Sequence, residues 1–414
     1  MNNTNKRYKV EIGAMPFTTD NCTRNQFRLI ANLNEKINID ILQKAVDLVI
    51  PRFPMFTVNI KKRWNSLVEY ISQEMLIKIT EYKSEFIPFE IFSEEPLFRI
   101  MYGKNFVCVE MFHTLSDANG CLTLLNSILS CYFELLGCDF NKINILNYDS
   151  ECTDEEFEDG YIKYAAKEKA LLSNTKSLFN KSFKLKCNSL PNRKGIVKVF
   201  SFDSIALKTV ANNKNLSVQE YLVTALCQSF NKIKEQCKSN KIIRIQMAID
   251  FRKRFASKTL RNFVGTTQFE TKSIDETSIS QEFKKHIHIA TNEKQLKAFM
   301  WSAVSLMQKT LRFFPRFIGN ILLRTGDKVL GEKANSTSLS NLGLIKNDLA
   351  KCGVTSYEFI EGTPLYIPFL VSVISFNGIC NIVFSKNTTD DNFEKYFLQN
   401  LEKDNIPLLN ELIR

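Results

Sequence analysis

Histidine is scarce in these 414 residues, with three in all, and tryptophan is scarcer at two. So few imidazoles leave little room for histidine-built metal clusters, and each can be weighed singly as a base or a ligand. Missing as well are the Gly-Xaa-Ser-Xaa-Gly elbow of serine hydrolases and the glycine-rich, Lys-Ser/Thr loop that cradles nucleotide phosphates, so neither chemistry has a footing. Eleven cysteines include no CxxC pair, and the opening MNNTNKRYKVEIG lacks the apolar core of a secretory leader. Reduced thiols in a cytoplasmic setting are therefore expected. The longest apolar stretch, 366–384, is broken by Pro368, Ser375, Asn377 and Gly378, whereas a bilayer-spanning helix needs about 20 predominantly apolar residues. No transmembrane segment is expected.

What is present is an ordinary globular composition, 44% apolar and 24% charged, in a chain longer than one hydrophobic core usually serves. Two halves are expected. Thirty-three phenylalanines suit either the core or an apolar tunnel. A net charge of +11 and a pI near 9.0 admit nucleic acid, an anionic membrane surface or a phosphorylated small molecule as partner, or simply a solvated lysine-rich surface.

In chain order, FRLIANL reads as a strand, NIDILQKAVDLVIPRFP as a helix capped by Asn38 or Asp40 and stopped at Pro51, and MFTVNI as a second strand. Pro96–Ile100 and Asn105–Met111 read as strands leading to His113. After an acidic stretch, 149–160, no carboxylate occurs between Glu168 and Asp203 while lysines accumulate. That shift divides the chain into a first half, 1–175, a basic linker, 176–195, and a second half, 196–414. The second half restarts with the strand GIVKVFSF, a helix from Ser217 to Ile233 with Ser217 and Glu220 as a capping box, and a strand over 241–251. The apolar, arginine-containing 302–330 reads as a helix pair split at Pro315, with a membrane-surface helix as the alternative. Asn377-Gly378 between alternating apolar flanks marks a two-residue hairpin. Phe393–Leu401 and Leu408–Ile413 read as closing helices. The whole is mixed α/β.

His286 and His288, two apart in KKHIHIA, would share one face of a strand, but nothing nearby completes a ligand set, and they read as structural or surface residues. His113 follows a buried strand, and Asp117 follows it by four. A neutral imidazole there can accept a proton near pH 7. Asp117 either orients that ring or anchors its loop, and the short spacing favours anchoring, which for a buried carboxylate calls for a cation from Arg252, Lys253 or Arg254.

The segment His113-Thr-Leu-Ser-Asp117-Ala-Asn-Gly120 resembles the HxxxD motif of the CoA-dependent acyltransferase superfamily, which includes chloramphenicol acetyltransferase, condensation domains and microbial alcohol acetyltransferases. Further similarities occur in order: the first helix and strand, Asp250-Phe-Arg252 followed by SKTLRNFVG, Ser340-Asn-Leu-Gly343, and the Asn-Gly hairpin. Phe112 stands where condensation domains usually carry a second His, and Ala118 where many relatives have Gly. The resemblance implies two similar chloramphenicol acetyltransferase-like halves of mixed α/β sheets with an active-site tunnel between them. It makes His113 the general base and Asp117, with Gly120, structural; Arg252 is the ion-pair partner, with Arg254 second choice.

Direct acyl transfer would then need oxyanion donors, for which Ser336, Ser338 and Ser340 are the candidates, unless that run is a turn whose hydroxyls satisfy themselves. Lys258, Arg261 and Asn262, or the lysine strip over 176–198, are candidates for holding CoA phosphates. The co-substrate implied is acyl-CoA, with no resident cofactor or metal. The acceptor implied is a small alcohol, with an amine as the variant. A cytoplasmic monomer that binds no nucleic acid is expected, with peripheral membrane contact left open. A non-catalytic protein of this fold, or one fed by a carrier protein, is the rival reading.

Overall fold

The computed structural model describes residues 7–19, 22–62, 68–72, 75–170, 181–191, 195–310, 313–315, 317–319, 321–323 and 334–414. In the first half these form β1 (Arg7–Lys9), β2 (Gln26–Leu33), α1 (Ile39–Val49), β3 (Val58–Lys62), β4 (Val68–Ser72), β5 (Thr80–Glu81), β6 (Phe98–Tyr102), β7 (Phe106–Phe112), α2 (Ala118–Leu135) and α3 (Gly160–Tyr164). The second half adds β8 (Ile196–Asp203), α4 (Ser204–Asn213), α5 (Val218–Gln236), β9 (Ile243–Asp250), α6 (Arg252–Phe255), β10 (Val264–Thr271), α7 (Glu276–Ala290) and α8 (Glu293–Val304). It closes with β11 (Thr337–Leu344), β12 (Val354–Glu361), β13 (Phe369–Phe376), β14 (Ile379–Lys386), α9 (Asn392–Lys403) and β15 (Leu408–Ile413).

Local chemistry explains the best-formed elements. Asn38 caps α1 by accepting from the Ile41 amide, and Leu42, Ala45, Val46 and Val49 bury one face of that helix. Ser217 and Glu220 form the expected capping box on α5. Asn377 and Gly378 both take positive φ, 48° and 81°, so they close the β13–β14 hairpin as the two left-handed residues its tight turn requires.

The strands assemble into a five-stranded sheet ordered β12-β2-β7-β6-β5, a seven-stranded sheet ordered β10-β9-β11-β13-β14-β8-β15, and a small sheet, β1-β4-β3. The first sheet buries one face under α1 and α2 through Leu29, Val109, Ala45 and Leu125. The second buries one face under α5, α7 and α9 through Ile245, Val371, Phe283 and Phe397. Between the two sheets a third, smaller core joins Ile30, Cys108 and Ile360 to Val199 and Val383. Many of the phenylalanines fill these cores.

The linear division of the chain is crossed by helix α8, which packs into the first half's core through Leu296, Met300 and Val304, and by a strand. β12, from the second half, pairs antiparallel with β2 and forms an edge of the first half's sheet. Of the expected linker, 176–180 and 192–194 lie outside the described residues. The stretch 181–191 runs along the second half, with the Phe183 amide on Ile242 O at 2.6 Å and the Leu190 amide on Asn387 O at 2.6 Å.

Three expectations are corrected. Leu408–Ile413 is a strand on the edge of the second sheet, paired with β8; its apolar spacing fits a helix, but Pro407 and the ladder offered by β8 decide for extended chain. His286 and His288 lie on helix α7, where a separation of two puts them on different faces. Cys138 and Cys352 form a disulfide, against the expectation of wholly reduced thiols. Helix α4, which the sequence reading does not include, is short and buries only Leu207 and Ala211. Most of 311–333 lies outside the described residues. Before it, α8 ends in a π-helical turn over Ser305–Thr310.

Candidate active site

β7 ends at Phe112, and the next amide, that of His113, donates to Asn25 O at 2.7 Å. The loop then turns into α2 with Asp117 as N-cap, whose Oδ1 accepts from the amides of Asn119 (3.1 Å) and Gly120 (3.3 Å). Its Oδ2 reaches across to the second half, accepting from the Phe263 amide and from Arg252 Nη1, each at 2.9 Å. With these partners the buried carboxylate holds the loop, as the short spacing suggested.

Arg252 is as fully engaged. Besides Asp117 it donates to Thr259 O at 2.8 Å, Arg261 O at 2.5 Å and Asp250 Oδ1 at 3.2 Å. Burial works against its charge, yet Asp117 and Asp250 outweigh that and hold the guanidinium protonated above its ordinary range. Gly120 lies in the first turn of α2 against the second half. A Cβ there would fall 2.1 Å from both Leu260 O and Ser116 Oγ, so close approach of the two halves requires glycine.

The His113 ring is fixed on three sides. Phe17 stacks on it at 4.2 Å with the planes 12° apart, and Phe27 meets it edge-on at 5.2 Å. Asn262 does the rest: its Nδ2 donates to His113 O (2.9 Å) and Thr114 O (3.2 Å), and its Oδ1 stands 2.9 Å from His113 Nδ1. With the amide protons spent on two carbonyls, Oδ1 must face the ring as an acceptor, so Nδ1 carries the proton and Nε2 the lone pair. Burial pushes the imidazole pKa below its usual value, only partly offset by the His113 backbone, the Asp117 charge and Asn262. At pH 7 this is a neutral ring whose second nitrogen has no hydrogen-bond partner among the described residues and can take a proton from a nearby hydroxyl.

The other expected residues divide. Arg254 is exposed and bonds Thr291 Oγ1, away from Asp117. Lys258 is exposed and pairs with Glu155. Arg261 is 5% exposed and spends its guanidinium on Glu11, Phe157 O and Lys9 O, so it braces the first half and is not on offer to a phosphate. Asn262, expected as a phosphate contact, is instead the partner of the imidazole.

The Ser336–Ser340 run is not a turn, since all but its first residue belongs to β11. Ser336 Oγ accepts from the Arg244 amide and Ser340 donates to Glu361 Oε1, whereas buried Ser338 Oγ has no hydrogen-bond partner among the described residues. Ser340 is the one the topology brings toward His113: Glu361 adjoins Gly362, whose amide bonds Gln26 O, and Gln26 pairs with Phe112. His286 Nε2 is occupied by Thr267 Oγ1 at 2.8 Å, and burial lowers its pKa to about 4. Among the described residues no group of three His, Cys, Asp or Glu side chains is gathered as a metal site, and no helix is long and apolar enough to cross a membrane.

Sequence reasoning missed the roles of Asn262, Phe17 and Phe27. Asn262 had a signal, its place in the Arg-Asn-Phe segment. Phe17 had none, being one phenylalanine among many in a stretch without periodicity.

No protein-family profile and no curated protein matches the sequence. Solved structures do match over nearly its full length. TRI101 of F. sporotrichioides, complexed with coenzyme A and T-2, superposes with a TM-score of 0.65 at 12% identity, covering 97% of this chain and 99% of that one. The epimerization domain from the third module of tyrocidine synthetase B gives 0.64 at 10%, covering 97% and 98%. The trichothecene 15-O-acetyltransferase TRI3 of Fusarium sporotrichioides gives 0.61 at 11%, covering 96% and 94%. With these shared architectures, the paired mixed sheets and the His113–Asp117 loop at their junction, the chain has the two-lobed, chloramphenicol acetyltransferase-like fold of the CoA-dependent acyltransferases.

Proposed function

We propose that this protein is a CoA-dependent O-acyltransferase. The observation that carries the reading is the neutral His113 ring, held by Asn262 so that Nε2 is left as the base, in a fold whose solved examples include a protein complexed with coenzyme A and a trichothecene 15-O-acetyltransferase. His113 Nε2 takes the proton of an acceptor hydroxyl as its oxygen attacks the thioester carbonyl of acyl-CoA. The tetrahedral oxyanion forms, the C–S bond breaks, and the imidazolium returns the proton to the leaving thiolate. No acyl-enzyme is needed. Asp117 and Arg252 act through the loop and do not touch the reacting atoms.

Ser340 is the oxyanion donor we favour, its single hydroxyl proton turning from Glu361 Oε1 to the oxyanion as the acyl group arrives; Ser338, whose hydroxyl has no partner among the described residues, is the alternative on the same strand face. The donor substrate is an acyl-CoA, acetyl by preference, and the acceptor a small-molecule alcohol; an amine would be served by the same base.

The test is thiol release from acetyl-CoA against a panel of short and long alcohols and amines, with wild type beside His113→Ala. Acceptor-dependent release that vanishes in the variant supports the assignment, and release that survives it removes His113 as the base. Coenzyme A binding without release would mean that the panel lacks the acceptor or the donor chain, and no coenzyme A binding at all would favour the non-catalytic rival.

A further inference from the structure

A cavity of about 420 Å³ lies on the other side of the second sheet from His113. Its floor is Phe183, Phe369 and Phe393, members of the core that packs that sheet's face against α5, α7 and α9, so no part of it belongs to the His113 junction. The lysine-rich stretch that joins the halves runs along one wall, and the end of α5 with the turn into β9 forms another. Lys184 and Lys186 come from the first, Lys238 and Lys241 from the second. The strip read from sequence as a possible phosphate contact is thus brought together with two further lysines, but away from the catalytic junction.

Charge and shape narrow what fits. Four lysines line the cavity against two carboxylates, Asp390 and Glu394. Glu394 is 2% exposed and is neutralised by Lys386, itself buried and also bonded to Asp391. Lys186, Lys238 and Lys241 are exposed and form no ion pair among the described residues. The volume falls within the range of about 300–1,000 Å³ typical of small-molecule sites. Phe183, Phe369 and Phe393 are only 5%, 1% and 2% exposed, so the floor offers a narrow apolar strip, and under a rim of exposed ammonium groups it suits a ligand with a slim apolar tail and an anionic head, since lysine recognises phosphate or carboxylate as a point charge.

We propose that this cavity is a second binding site, for amphipathic anions, distinct from the proposed acyl-transfer site. The apolar body lies over Phe183, Phe369 and Phe393, and the head sits between Lys186 on one wall and Lys238 and Lys241 on the other. Cys237 lines the same cavity with an exposed thiol and reports on its occupancy.

The probes are decanoate, decyl phosphate and decanol, and the readout is the alkylation rate of Cys237 in the intact protein, followed by mass spectrometry. Both anions should slow alkylation at least about tenfold and decanol should not; a preference between the two identifies the head group. The triple variant Lys186→Gln/Lys238→Gln/Lys241→Gln should lose that protection while keeping the wild-type unfolding midpoint. Saturating coenzyme A should leave it unchanged, which separates this site from the catalytic one. Equal protection by decanol, protection that survives the triple variant, or competition by coenzyme A would each overturn the proposal.

Discussion

Two of the junctions between the halves are built on different principles. At the first, the loop 113–120 faces the segment 250–264 through side chains: Asp117 to Arg252, Asn262 to His113, Ser116 Oγ to Leu260 O. At the second, β12 enters the first sheet as a strand, and the disulfide from Cys138 to Cys352 ties its near end to the chain beyond α2. Arg414 reinforces that side from the chain's other end, on Glu358 and Asn32. A ladder of backbone bonds holds halves together whatever its side chains do, whereas a handful of directional contacts sets the angle of one ring. The first junction positions atoms and the second carries load.

That contrast can be broken from either end. The largest effect belongs to His113→Ala, which should lower turnover by roughly 10²- to 10⁴-fold with little change in the thermal unfolding midpoint; steady-state thiol release and calorimetry on the same preparation decide it. Arg252→Met strands a buried carboxylate and should cost about 3–5 kcal/mol in denaturant unfolding, and adding Asp117→Asn should recover part of the loss. Cys352→Ser should cost about 2–5 kcal/mol while leaving turnover nearly intact, and wild type in reductant should match it. An equal loss of turnover would mean that the strand junction also sets the ring.

The pH dependence sharpens the distinction further. Because burial depresses the His113 pKa, kcat/KM should be flat near neutrality and fall only as pH drops through that lowered value, where the base becomes protonated. Asn262→Asp replaces a neutral acceptor by a charged one and should move the fall to higher pH by about one unit. A pH-dependent stability effect belongs to His286. Its folded pKa, about 4, lies below the ordinary 6.5, so the unfolded chain binds the proton first and stability is lost as pH falls between those values. His286→Gln should flatten that slope in urea titrations at pH 4 and 7.

Much of this was legible in the residues. The capped helices α1 and α5 and the Asn377-Gly378 hairpin follow from local rules; the His113–Asp117 spacing favoured an anchoring carboxylate with a cation from Arg252, Lys253 or Arg254, and Arg252 is the one that bonds Asp117. The rest depended on distant partners. Arg261 was expected at a phosphate because its charge is visible in sequence, but the Glu11 that consumes it lies 250 positions earlier. Ser336–Ser340 was open to reading as a turn because nothing local marks a strand that pairs with β9 and β13. The disulfide joins cysteines 214 residues apart, a pairing that spacing does not suggest. Asn262 was placed in the right segment with the wrong partner, since only the fold brings it under the imidazole.

The entry of β12 into the first sheet also sets an order of events during synthesis. Until residue 361 has left the ribosome, β2 has no partner on one side, and the first half is a sheet with a long, apolar, unpaired edge. A fragment ending in the basic linker should therefore aggregate, and supplying Val354–Glu361 in trans as a peptide should compete for that edge. The two lobes are separate in space but not in time: the first to be translated is among the last to be finished.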